Sequence, residues 1–179
     1  MFYETNGITE FLGIGTNSYV GIVDETTVLK YPHIPGDKSA LAILGLEARM
    51  LEVIGPHKHI IKLKGQTKDG LLLERAHFGS IAQYLKNNDP PLQQRMEWTS
   101  QATKAIAIVH RARVLHRDIG VNNLLSDAKL NVKLCGFRGR FLGPVPFEWK
   151  VYSPSVEIAA VDYHSLHSAR GLQRYALVN

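Results

Sequence analysis

Short apolar runs separated by turn-forming residues occupy the first part of the chain, and they read as three strands, at residues 8–12, 19–23 and 26–31. Gly13, Gly15 and Asn17 supply the first turn, and Asp24-Glu25 the second. Pro32, Pro35 and Gly36 then break the sheet, and a helix opens near Asp37-Lys38-Ser39. Its apolar face is expected at Ile43, Met50, Leu51 and Ile54, which fall together at helical spacing, and Gly55-Pro56 ends it.

Further along, residues 60–64 alternate apolar and basic side chains and residues 70–73 form a short apolar run, so both read as strands. Phe78-Gly79-Ser80 gives a break and a cap before a short helix reaching Lys86. After a polar, proline-containing link, a longer helix starts at Gln93 with Trp98, Ala102, Ala105, Ile106 and Val109 on one stripe, and it ends in a basic turn at residues 111–113. Two short strands, at 123–125 and 130–135, flank a turn at Ser126-Asp127. Beyond Arg138 the periodicity weakens and Gly143, Pro144, Pro146 and Pro154 punctuate the chain, with a last helix expected across 161–177. Strands first and helices afterwards argue for an α+β fold rather than alternating βαβ units.

A chain of 179 residues with 45% hydrophobic and 21% charged positions has ordinary globular composition. Its net charge of +5 is spread along the sequence, with local clusters only at Lys62/Lys64/Lys68 and Arg111/Arg113/Arg117, so the expectation is a solvated surface and no nucleic-acid partner. Cys135 is the single cysteine, which excludes an internal disulfide and favours a reducing, intracellular and cytoplasmic setting. Its apolar neighbours mark it as a packed thiol rather than a nucleophile. The opening MFYETNGITE lacks a signal pattern, and no apolar run approaches the roughly 20 residues that cross a bilayer, so no membrane association is expected. His57-Lys58-His59 reads as a solvated loop, and His164 and His167 lack the further ligands a zinc site requires.

Five features in order resemble the eukaryotic protein kinase family, across about residues 9–138. Gly13-Ile14-Gly15-Thr16-Asn17-Ser18-Tyr19-Val20 is similar to the glycine-rich loop over ATP phosphates, with Ser18 in place of the third glycine. Val28-Leu29-Lys30 resembles the strand whose lysine meets the α- and β-phosphates. Glu47 projects from the apolar face of its helix, where a charge is costly unless paired, and Lys30 is the partner the resemblance implies. Leu73, Glu74 and Ala76 match the gate and hinge that would hold an adenine edge. His116-Arg117-Asp118, with Asn123 five residues after the aspartate, fits the catalytic loop without a spacing error.

The resemblance implies a two-lobed kinase-like fold, one domain over 1–179, with a nearly complete β-rich small lobe at 1–76 and a partial helical lobe at 77–179. It implies ATP as the bound nucleotide and a protein as substrate or partner, with Asp118 as base, Asn123 on magnesium, Lys30 on the phosphates, Glu47 orienting Lys30, and Gly13, Gly15, Ser18 and Val20 covering the nucleotide.

Three departures accompany it. Gly136-Phe137-Arg138 stands where the family has its magnesium-binding Asp-Phe-Gly, so the carboxylate is absent and magnesium binding is weakened. Gly120 occupies a position where serine/threonine kinases carry lysine. Residues 138–179 are too few for an activation segment and a whole helical lobe, although Tyr152-Ser153-Pro154-Ser155 and residues 162–166 bear a slight likeness to the next family landmarks. Three readings stay open: a phosphotransferase acting on a protein hydroxyl, a catalytically impaired pseudokinase or scaffold, and a remnant without independent activity.

Overall fold

The computed structural model describes residues 7–141. The tail helix at 161–177, the two late landmarks and the His164/His167 pair lie outside the described residues. Five antiparallel strands form one sheet: β1 (Glu10–Ile14), β2 (Ser18–Asp24), β3 (Thr27–Pro32), β4 (Leu63–Gln66) and β5 (Leu71–Glu74), in the order β1-β2-β3-β5-β4. The three expected hairpin strands are therefore present, each displaced by one or two residues. The fourth starts later than expected, because Ile60 and Ile61 turn away from the sheet to serve another contact.

Helix α1 (Lys38–Ile54) packs on this sheet. Asp37 caps it, accepting from the Ser39 amide at 2.9 Å and the Ala40 amide at 3.2 Å, and Gly55 closes it through a 3.0 Å bond to the Leu51 carbonyl. The buried face is Ala40, Leu44, Glu47, Ala48, Met50 and Leu51. Ile43 belongs to the exposed side, a correction to the expected face. Leu44 takes its place on that face, between the small side chains Ala40 and Ala48.

Two helices follow, α2 (Ile81–Asn87), capped by Ser80, and α3 (Leu92–Arg111). Every member of the expected stripe on α3, from Trp98 to Val109, is buried. Trp98 also donates its indole N–H to the Leu130 carbonyl at 2.7 Å, which satisfies the one polar atom it carries inside. Short antiparallel pairs complete the described chain: β6 (Val114–Leu115) with β9 (Arg140–Phe141), and β7 (Leu124–Ser126) with β8 (Val132–Leu134). The two-residue pair β6/β9 had no periodicity to announce it.

One apolar core joins the two parts. Val28, Leu44, Leu51 and Leu73 from the sheet side meet Ala105, Val109, Leu134 and Phe137 from the helical side. Residues 59–61 fasten the junction. The Ile61 amide donates to the Leu134 carbonyl and the Leu134 amide to the His59 carbonyl, each at 2.9 Å. His59 is buried and its Nδ1 lies 3.2 Å from the Val132 carbonyl, so the expected solvated loop is instead a structural joint. Burial lowers the His59 pKa and favours the neutral ring.

Candidate functional site

A cleft of about 970 Å3 lies between the sheet and the helical part, and all of the residues singled out from sequence line it: Gly13, Gly15, Ser18, Val20, Lys30, Glu47, Leu73, Glu74, Ala76, Asp118 and Asn123. Its volume falls within the usual range for small-molecule sites.

The roof is the β1/β2 hairpin. The Gly15 amide donates to the Ser18 carbonyl at 2.7 Å, which draws the turn tight, while Ser18 itself is buried at the start of β2. Val20 stands opposite Lys30 in the β2/β3 register. Lys30 Nζ meets Glu47 Oε2 at 2.5 Å, and Glu47 is only 2% exposed. The costly charge on the inner face of α1 thus has its partner. Its other oxygen, Oε1, is buried without a hydrogen bond in the structure.

At the rear, the backbone of residues 74–76 is partly engaged. The Glu74 amide donates to the Lys62 carbonyl and the Arg75 amide to the Thr26 carbonyl, both at 2.9 Å, so neither can meet a ligand. The Glu74 carboxylate is also held, by Lys133 at 2.7 Å and the Lys62 amide at 3.1 Å.

The floor is the loop from His116 to Asn123. His116 is fully buried, with Nε2 2.9 Å from the Cys135 carbonyl, and it accepts at Nδ1 from the Asp118 amide at 3.3 Å. Burial brings its pKa down to about 4 against the opposing pull of Cys135, so the ring is neutral and Nε2 carries the proton. Asn123 closes the loop by donating its Nδ2 to the Asp118 carbonyl at 2.7 Å, and its own carbonyl accepts from the Cys135 amide at 2.9 Å. Arg117 adopts φ +68°, a left-handed conformation held by the buried neighbours His116 and Ile119.

Next to this floor runs Cys135-Gly136-Phe137-Arg138. Burial pushes the Cys135 thiol up to about 12, which keeps it protonated and matches the packed, unreactive expectation. Phe137 is buried and its ring lies 4.5 Å from that of His116. Gly136 has φ +77°, and a Cβ there would come 2.9 Å from Asn123 Cγ. The Asn123 carboxamide therefore occupies the space where a side chain at 136 would begin. Arg138 Nε lies 3.9 Å from Asp118 Oδ2, with both side chains about half exposed.

Sequence reasoning missed the apolar walls of the cleft, Val28, Ile61 and Leu125. Val28 was accessible, since it lies two residues before Lys30 on the same strand face. The Arg138–Asp118 juxtaposition had no sequence signal at all.

A sequence model for the protein kinase domain matches residues 10–139. The chain is 29% identical over 133 residues to Fer-related kinase 1 of Caenorhabditis elegans, an alignment covering 63% of this chain and 34% of the relative. It is 30% identical over 112 residues to the serine/threonine-protein kinase PLK4 of Xenopus laevis, covering 56% of this chain and 12% of that protein. With the mitogen-activated protein kinase kinase kinase mom-4 of Caenorhabditis briggsae it shares 31% over 106 residues, covering 54% and 19%. The chain thus spans about a third or less of the length of these relatives. It belongs to the protein kinase family, and its sheet, α1 and the following helices are those of the two-lobed kinase fold.

Members of this family generally use ATP with magnesium. The residues present here do not fit the metal. Gly136 has no side chain, Cys135 offers a protonated sulfur to an ion that demands hard oxygen, and Asn123, whose Nδ2 is tied to the loop, leaves a single neutral amide oxygen, Oδ1. Arg138 brings a positive charge to the carboxylate that faces it, Asp118. Among the described residues no group of three His, Cys, Asp or Glu side chains could hold a metal ion.

Proposed function

We propose that this chain binds ATP in the cleft, with the purine between the apolar walls Val20, Val28 and Leu125 and the phosphates beneath the hairpin of residues 13–20. The observation that carries this reading is the Lys30–Glu47 pair at 2.5 Å, its carboxylate buried and its partly exposed ammonium opening onto the cleft. Burying two charges side by side is rarely the most stabilising solution, and an apolar pair of similar volume would often serve the fold as well or better. A lysine held in this way presents a fixed donor to an anion. With the Glu74 and Arg75 amides engaged, the Ala76 amide is the donor assigned to the adenine edge. Leu73 gates the space behind it, and Glu74 shapes the hinge through its bond to Lys133.

For the family reaction, transfer of the γ-phosphoryl of ATP to a protein hydroxyl, Asp118 is the group placed to take the acceptor's proton, and Asn123 holds the loop that carries it. A second reading has its own support: Gly136 and Arg138 favour a pseudokinase or scaffold that binds nucleotide and a protein partner but turns over slowly or not at all. One pair of measurements separates them. A fluorescent ATP analogue titrated into residues 1–179 should bind saturably, and a Lys30→Met/Glu47→Leu double variant should bind it at least tenfold more weakly. Transfer of labelled γ-phosphate to a generic protein acceptor, abolished by Asp118→Asn, would establish the enzyme; binding without transfer would establish the pseudokinase. Absence of saturable binding by a cooperatively folded sample would refute the proposal.

A further inference from the structure

We propose that Arg138 supplies from the chain itself the positive charge that grips the phosphate end of the nucleotide, so that nucleoside di- and triphosphates bind in this cleft without a divalent cation. The inference rests on the ATP reading above. Relative to the family's Asp-Phe-Gly, Gly136 removes one negative charge and Arg138 adds one positive charge. Together they shift the local charge by as much as one bound divalent cation would. The groups left at this end of the cleft are Lys30 and Arg138 against Glu47 and Asp118, a balanced set rather than an acidic one.

Arg138 is held in place from both sides. Phe137 before it is 1% exposed and packed on His116. Gly139 after it lies so close to β6 that a Cβ there would overlap the Leu115 carbonyl and stand 3.0 Å from the His116 oxygen. The backbone at 138 is thus fixed on the cleft floor, while the side chain is 43% exposed and reaches toward Asp118 at 3.9 Å. That distance is too long for a tight ion pair, so the guanidinium keeps donors for an incoming anion. Lys30 is already matched by Glu47 at 2.5 Å, which leaves Arg138 as the more available of the two cations. A guanidinium fork suits two oxygens of one phosphate, and its charge does not depend on pH.

The test titrates fluorescent N-methylanthraniloyl analogues of ATP and AMP into the full chain, in EDTA and then in excess magnesium. In EDTA the wild type should bind the ATP analogue, and inorganic tripolyphosphate should displace it. Magnesium should not tighten binding. Arg138→Gln should weaken the ATP analogue about tenfold, the scale of one charge-assisted contact, with the AMP analogue unchanged and Arg138→Lys between the two. Wild-type binding that requires magnesium, or Arg138→Gln binding ATP analogue as tightly as wild type, overturns the inference while leaving the ATP reading standing. No binding of either analogue by a folded wild type overturns both. Should Arg138→Gln fail to melt cooperatively, the wild-type result in EDTA with tripolyphosphate competition decides alone.

Discussion

Two charge pairs line the cleft, and they are built differently. In one, Lys30 and Glu47 meet inside the protein at 2.5 Å, on strand and helix backbones that belong to the main sheet and its covering helix. In the other, Asp118 and Arg138 face each other across 3.9 Å, half in solvent, on loops. The first pair is a folding commitment as well as a site, since removing either partner strands a charge in the core. The second costs the fold almost nothing to change. A chain can therefore rewrite the segment at 136–138, acid to glycine and glycine to arginine, while the Lys30–Glu47 pair stays fixed by the stability it carries.

The largest effect expected from breaking this asymmetry is at the buried pair. Lys30→Met alone leaves Glu47 uncompensated and should destabilise the chain by about 3–5 kcal/mol, read as a lower urea midpoint. Lys30→Met/Glu47→Leu should recover most of that loss while remaining defective in nucleotide binding, which separates fold from site.

Next comes pH. His116 under the floor has its folded pKa depressed to about 4 by burial, against an ordinary value of 6.5. The unfolded chain therefore takes up the proton first, and stability falls as pH drops from 6.5 towards 4, by up to roughly 3 kcal/mol. His59, lowered by burial too, adds in the same direction. Urea unfolding at pH 7 and pH 5 measures the slope, and a His116→Gln variant that still folds should show a shallower one.

Smaller again is Gly136→Asp. A side chain at φ +77° costs about 1–2 kcal/mol, and its Cβ must push the Asn123 amide off the Asp118 carbonyl. The single change should lower the melting temperature and leave phosphoryl transfer no higher than in wild type. Adding Arg138→Gly to it should make binding of the ATP analogue respond to magnesium. Last, Arg138→Gln by itself should move stability by less than about 0.5 kcal/mol, as befits a half-exposed pair, so any binding defect it causes is local.

Much of this was legible in the sequence for identifiable reasons. The α3 stripe is long, periodic and aromatic at one end, and each residue named on it is buried. The α1 face was misjudged at Ile43 because Leu44, its neighbour one position on, is the large side chain that shares the buried face with Ala40 and Ala48. A two-residue pairing such as β6/β9 has no period to detect. For the site, the family resemblance chose residues that converge on one cleft, and Glu47 was marked besides by its place on the apolar face of its helix. Spacing could not reveal that the Glu74 and Arg75 amides are engaged, that His59 is a joint, or that Asn123 fills the space beside Gly136, since all three depend on strands brought together from distant parts of the chain.

The rungs between residues 59–61 and β8 bear on how the cleft can breathe. They tie sheet side to helical side through backbone groups rather than side chains. A movement of the β1/β2 roof need not break these rungs, because none of them involves residues 10–24. In deuterium exchange the amides of Ile61 and Leu134 should report the whole-molecule unfolding free energy, whereas those of the roof exchange through small excursions that leave the rungs intact.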